Sequence, residues 1–272
     1  MINVPLAAET VFTIGSFMVT NTLVNAFIAL VIFFLLGLSV RFGVREIPDR
    51  FQTFLEMILE FVLNFFDRVT GSREKSRRFL PIAGTLFFFI LLSNWMSLLP
   101  GTGSIGVWHV VHRQREFIPL LRPANSDLNL TLAMALVSIV GAHIFGIVTL
   151  GLWRHTNKFV QLGNVGKAMI SLKPINILTA LVEFVVGIIE IFSEFAKIAS
   201  LSLRLFGNIF AGEVLITVIS ALVAYLVPLP FIAIEIIVGI VQATVFSMLT
   251  LVYLTLMTMP PHGEHQEAHA KH

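Results

Sequence analysis

The sequence predicts an all-α membrane protein, with five transmembrane helices plus one membrane-surface amphipathic helix. Three observations carry this. The 272 residues are 56% hydrophobic and only 12% charged, whereas soluble domains carry about 25% charged residues. Uncharged runs long enough to cross a bilayer recur along the chain. Between the first two of them lies a segment of helical period, polar on one side and aromatic on the other.

The elements follow in order. Residues 10–40 carry no charge, and a first span fits residues 20–40. Arg41, Arg45 and Arg50 follow it. Over residues 51–67, Thr53, Glu56, Glu60, Asn64 and Asp67 recur every three or four positions, while Phe54, Leu55, Ile58, Val62 and Phe65 fill the other side. That pattern predicts a helix lying at the membrane surface. A basic loop from Arg68 to Arg78 precedes the second span, the 21 uncharged residues 79–99, which Pro100-Gly101 ends. A polar loop runs to about Asp127, and residues 128–153 form a third uncharged span. A basic loop covers residues 154–173, and a long helix with several ionisable side chains covers residues 174–220. Pro228 and Pro230 mark a tight hairpin region over residues 222–230. The last span, 231–259, stops at Pro260-Pro261, and residues 260–272 form a cytoplasmic tail. His262, His265, His269 and His272 in that tail read as solvated rather than as a metal site.

Lysine and arginine counts set the orientation. With the N-terminus outside, the inner segments hold thirteen of these residues, and the outer segments hold only Arg113, Arg115 and Arg122. The expected topology therefore has the N-terminus outside and the C-terminus cytoplasmic. The N-terminus lacks a basic region ahead of its apolar run and carries Glu9, so no cleavable signal is expected. A formal charge of +2 gives no reason to expect nucleic acid as a partner, and no cysteine is present to form a disulfide, a thiolate metal site or a nucleophile. The mean hydropathy of +0.89 agrees with the membrane assignment. No internal repeat is visible, which argues against inverted-repeat transporters. No phosphate-binding loop, zinc-protease motif or nucleophile–base pair appears, so neither a cofactor nor catalysis is expected of this chain.

Arg204 is the most informative residue. It sits inside Leu201-Ser202-Leu203-Arg204-Leu205-Phe206-Gly207-Asn208, with no carboxylate three or four residues away on either side. A guanidinium does not shed its charge, and holding one at membrane depth costs at least ~2.5 kcal/mol, so such a residue marks function. Glu183, Glu190, Lys197 and Arg204 are spaced by sevens, and each step drifts only ~20° around a helix, so they share a face. Glu194 and Asn208 lie within a turn of that stripe, and Glu213 points to the opposite side. Pairing within the helix among Glu190, Glu194 and Lys197 is a structural alternative. Glu235 and Gln242, also seven apart, share a face of the last span. If Arg204 faces Gln242 across the hairpin, its midpoint is Val223 and position 213 pairs in depth with about 233, near Glu235. His143, in the third span, is a weaker candidate for an outer channel lining or an interhelical hydrogen bond.

The run from Leu201 to Asn208, followed by Ala211-Gly212-Glu213, strongly resembles the signature of subunit a of the rotary F-type ATP synthase. Pro123-Ala124-Asn125-Ser126-Asp127-Leu128-Asn129 is similar to the segment opening that family's fourth helix. Phe51 through Phe65 resembles its surface helix, and Gln242-Ala243 with Leu249-Thr250-Leu251-Val252-Tyr253-Leu254 resembles its last helix. The resemblance implies an ion-channel stator in a bacterial inner membrane, with the last two spans tilted as a hairpin against a ring of c subunits. Protons would reach and leave that ring through two offset half-channels. Its partners would be the c-ring, the peripheral-stalk b subunits, the rest of the complex and lipid, with nucleotide chemistry on other subunits. By motif position, Arg204 would be the essential arginine, and Asn208, Glu213, Glu235 and Gln242 would serve proton translocation. Glu190, Ser193 and Lys197 would lie near the inner exit. The competing expectation is a self-contained transporter or channel in which Arg204 binds an anionic substrate.

Overall fold

A computed structural model describes residues 5–43, 45, 48–99, 101–111, 114–160, 174–223 and 226–259. The expected tail at 260–272, the end of the basic loop at 161–173 and the side chain of Glu183 lie outside what it describes. The chain opens with a small hairpin, β1 (Thr10–Ile14) and β2 (Phe17–Thr20), and α1 (Asn21–Gly43) follows directly. Then come α2 (Arg50–Thr70), α3 (Arg73–Ser97), a second hairpin β3 (Gly106–Val111) and β4 (Gln114–Pro119), and α4 (Leu128–Leu150). A short α5 (Leu152–Val160) precedes two long helices, α6 (Pro174–Leu222) and α7 (Pro228–Thr258). Among the described residues, five helices (α1, α3, α4, α6 and α7) are long and apolar enough to cross a membrane. The protein is an all-α membrane fold with two small antiparallel ribbons added to it.

Several boundaries depart from the sequence reading for local reasons. The third span stops at Leu150 because Gly151 adopts φ +86°, and Leu152 and Trp153 begin α5, which occupies the start of the expected basic loop. Pro228 and Pro230 lie in the first turn of α7 rather than in the connection. Proline is tolerated there because its missing N–H is one of the unpaired groups at a helix start. The polar loop after α3 contains the β3–β4 ribbon. At ~1.5 Å per residue, the 49 residues of α6 extend about 74 Å. A bilayer core is only ~30 Å thick, so α6 must cross obliquely or project from it.

Asp49 caps α2 by accepting a hydrogen bond from the Gln52 N–H (2.8 Å), and Gly71, at φ +68°, ends the helix in the left-handed conformation. The helix has three sectors rather than two. Val62 and Phe66 are buried against Phe79 of α3 and Leu254 of α7. Phe54, Met57 and Phe61 form an exposed apolar sector. Glu60, Asn64 and Asp67 form a polar one that meets Arg73 of α3 at 2.6, 3.0 and 2.9 Å. One side of the helix thus packs on protein, one is exposed and apolar, and one is polar, the pattern suited to an element lying at a membrane surface.

The main core lies deeper. Leu201, Leu205 and Ile209, spaced by fours on α6, pack with Ile90 of α3, Ala135 of α4 and Phe246 of α7. Lipid tails are as apolar as these side chains, so packing and interhelical hydrogen bonds hold the bundle. Thr131 meets Ser202 at 3.2 Å, and Ser138 donates to Thr250 at 2.8 Å. By contrast, the buried residues of α1 are confined to Asn21, Thr22, Asn25, Ala26 and Ala29, all in its first nine positions. Thr22 donates to Asp127 (3.0 Å) and Asn25 donates to the Arg122 carbonyl (2.7 Å). Phe27, Leu30, Phe34 and Leu35 are exposed.

Candidate functional site

These contacts bring the start of α1, the end of α3, the start of α4, the end of α6 and the start of α7 to one end of the bundle. A cavity of about 250 Å³ opens there. Its walls include Asn94 and Ser97 of α3, Thr102 and Arg122 of the following segment, Glu213 and Thr217 of α6, and Glu235 of α7. Glu213 is held by Arg122, whose Nε donates to Oε1 at 2.7 Å, and the Arg122 side chain is only 3% exposed. Glu213 Oε2 and Asn94 Nδ2 are buried and make no hydrogen bond among the described residues. Glu235 reaches across to α6, where its carboxylate lies against the Cα of Gly212, so close that a Cβ there would overlap it. Two carboxylates from consecutive helices thus line one cavity.

The Gly212–Glu235 contact also sets the register of the hairpin. Gly212 lies eight residues beyond Arg204, and Glu235 lies seven before Gln242. Arg204 and Gln242 are therefore level to within a residue. They face different surroundings. Gln242 is 8% exposed, inside the bundle. Arg204 is exposed, together with Ser200, Leu203, Gly207, Asn208 and Ala211, on the side of α6 turned away from Leu201, Leu205 and Ile209. Among the described residues its hydrogen bond is to Ser200 Oγ, at 3.3 Å. Asn208 stands one turn further along the same open strip. Glu213, nine residues from Arg204, is about 13 Å along the axis.

The opposite half of the bundle holds a second polar group. Lys197 Nζ meets Glu194 Oε1 at 2.6 Å, and Glu194 Oε2 lies 3.5 Å from His143 Nε2. His143 Nδ1 is in turn 3.1 Å from Nε2 of His155, in α5. Lys197 also lies over the Tyr253 ring, 5.5 Å from its centre. Glu190 and Ser193 are half-buried further toward the start of α6. The helix-internal pair of Lys197 and Glu194 is therefore made, and it extends to α4 and α5.

His143 makes an interhelical contact and lies apart from Glu213 and Glu235. It lies instead against Glu194, because α4 starts at the cavity end and His143 is fifteen residues into it. Three residues now matter that sequence reasoning left without a role: Arg122, His155 and Asn94. Arg122 left a usable trace, being one of only three basic residues between the second and third spans. Among the described residues no three His, Cys, Asp or Glu side chains are placed to hold a metal ion together.

The comparisons with known proteins agree over most of the chain. The sequence profile of the ATP synthase A chain family matches residues 22–255. The chain is similar to ATP synthase subunit a of Moorella thermoacetica, 32% identical over 247 residues that cover 90% of this chain and 93% of that protein. It is similar to ATP synthase subunit a 2 of a Bradyrhizobium species, at 31% identity with 92% and 94% covered. It is also similar to ATP synthase subunit a of Mycobacterium ulcerans, at 34% identity with 87% and 86% covered.

Proposed function

Because this chain belongs to the ATP synthase A chain family, we propose that it is the stator channel of the membrane sector of an F-type ATP synthase, passing protons to and from a rotating c-ring. The supporting observation is Arg204. It is an obligate cation on the open face of a membrane helix, and no carboxylate pairs with it among the described residues. A charge so placed calls for a counter-charge from outside the chain, and a membrane carboxylate on each ring subunit supplies it.

The residues then divide by depth. The cavity lined by Glu213 and Glu235 is the outer half-channel, where carboxylates pass protons toward the ring. Arg204, with Asn208 beside it and Gln242 level with it, stands between the two half-channels. Its fixed charge attracts a deprotonated ring carboxylate and repels a proton moving straight across. Glu190, Ser193 and Lys197 serve the inner exit. The N-terminus is outside and the C-terminus cytoplasmic in a bacterial inner membrane. This fits the observation that Arg41, Arg68, Arg73, Arg78 and Arg154 belong to the end opposite the cavity. The chain itself is non-catalytic: nucleotide chemistry takes place on other subunits, and the peripheral-stalk b subunits hold the stator against the ring's torque.

The alternative, a self-contained transporter with Arg204 binding an anion, calls for Arg204 to line an internal cavity. It lines neither the cavity above nor the apolar groove between α1 and α3. The test is Arg204→Ala in sealed membrane vesicles. ATP-driven proton pumping and ATP synthesis should both be lost while the complex stays assembled, and normal synthesis by the variant would sink the assignment. Arg204→Lys should also fail, because an ammonium lacks the forked geometry and can deprotonate when desolvated.

A further inference from the structure

We propose that Arg122 is a positioning residue of the outer half-channel. Its forked guanidinium fixes the Glu213 carboxylate on the cavity wall and makes that geometry depend on the docked N-terminal segment. The inference rests on the function proposed above and deepens it.

Arg122 is almost fully buried, and its donors are spread over two parts of the chain. Nε reaches Glu213 Oε1 at 2.7 Å, while Nη1 and Nη2 donate to the carbonyls of Ala7 (3.0 Å) and Pro5 (2.9 Å). The guanidinium carbon stands 6.0 Å from the centre of the Phe210 ring, one turn before Glu213 on α6. The backbone beneath it is fixed as well. Asn25 donates to the Arg122 carbonyl, and Asn125 donates to Asn94 Oδ1 at 2.6 Å. A side chain so held has one orientation, which is what aiming a second group demands.

The consequence falls on Glu213. A glutamate has three rotatable bonds, and one held by a single oxygen keeps the other at a fixed point. Oε1 is occupied by Arg122, and Oε2 is left without a hydrogen bond among the described residues, in the wall of the cavity that Glu235 shares. Oε2, itself buried, is thus the oxygen left to carry a proton at the cavity wall. Loss of the guanidinium would free the carboxylate to swing and leave it buried without its partner. The carbonyls of Pro5 and Ala7 complete the set, so the segment ahead of β1 is part of the support.

The experiment uses the whole complex in inverted vesicles, with ATP-driven pumping normalised to the assembled complex and measured against the pH on the outer-channel side. Arg122→Gln should lower the rate per complex roughly tenfold, on the scale of a misplaced reacting group, and displace the outer-pH profile. Glu213→Gln added to it should cost little more, because the two side chains act as a unit. Arg122→Lys, which keeps the charge without the fork, should lower the rate less and displace the profile in the same direction. A wild-type rate and profile per complex in Arg122→Gln, with only the amount of complex reduced, would make the pair merely structural and overturn the proposal. If Arg122→Gln does not assemble, Arg122→Lys decides, and a wild-type profile there overturns it. Arg204→Ala runs alongside: if it pumps normally the stator reading itself falls, whereas if it fails while the Arg122 variants are normal only this inference falls.

Discussion

Gly212→Ala separates the stability of the hairpin from its function. Replacing a glycine by alanine inside a helix stabilises the helix by about 1 kcal/mol. At position 212 the added Cβ would overlap the carboxyl group of Glu235. That group is the far end of a flexible side chain, so it can yield. It must retreat by about an ångström or more to restore an ordinary contact of ~3.5 Å, and an off-rotamer χ angle costs about 0.5–1.5 kcal/mol. The two terms nearly cancel, so stability should stay within about 1 kcal/mol of the parent. Proton transfer is far less tolerant, because a misplacement of ~1 Å can cost about a hundredfold in rate. The expected outcome is a complex that assembles and melts like the parent but pumps at least about tenfold more slowly. Thermal dissociation of the purified complex and ATP-driven acidification of inverted vesicles measure the two quantities. Unimpaired pumping would refute the placement of Glu235 against α6, and a large drop in stability would refute the cancellation.

Three further expectations follow from the same geometry. Glu213→Gln and Glu235→Gln should each slow pumping, and the double variant should cost less than the sum of their free-energy effects, since both line one cavity; additive effects would put them in separate paths. Glu190→Cys, in a chain with no native cysteine, should react with a membrane-impermeant thiol reagent only from the cytoplasmic face; labelling from outside would invert the topology. Phe66→Ala should destabilise the α2–α3–α7 packing by about 3–5 kcal/mol, whereas Ser138→Ala, which loses one interhelical hydrogen bond, should cost only about 0.6 kcal/mol; comparable losses in a detergent-unfolding assay would contradict the burial of Phe66.

What the sequence could reveal depended on whether the signal was local. The spans are legible because twenty uncharged residues have few destinations, and α2 is legible because its polar residues keep a helical period. Arg204 is legible because an obligate charge in an apolar run cannot be ignored. The pairing of Arg122 with Glu213 was not, because it joins positions 91 residues apart and nothing in one sequence links them. The β1–β2 hairpin was hidden by its own composition. Its uncharged strands read as part of a membrane run, although Gly15, at φ +64°, makes the turn. For His143, residue type alone left an outer channel lining and an interhelical hydrogen bond both open. Its depth along α4, which the topology already implied, places it with Glu194.

The sparse burial of α1 bears on how the protein is assembled in the bilayer. An apolar helix gains nothing from leaving lipid for an apolar neighbour, so its insertion and its docking are separate events. The fully buried residues of α1 lie at one end, where Thr22 and Asn25 make their hydrogen bonds, while further along Phe33 meets Phe88 of α3 with ring centres 5.8 Å apart. The polar end of α1 gains the carboxylate and carbonyl acceptors of residues 122–127 only about a hundred residues later in synthesis. Full docking of the first span therefore waits on the α3–α4 connection.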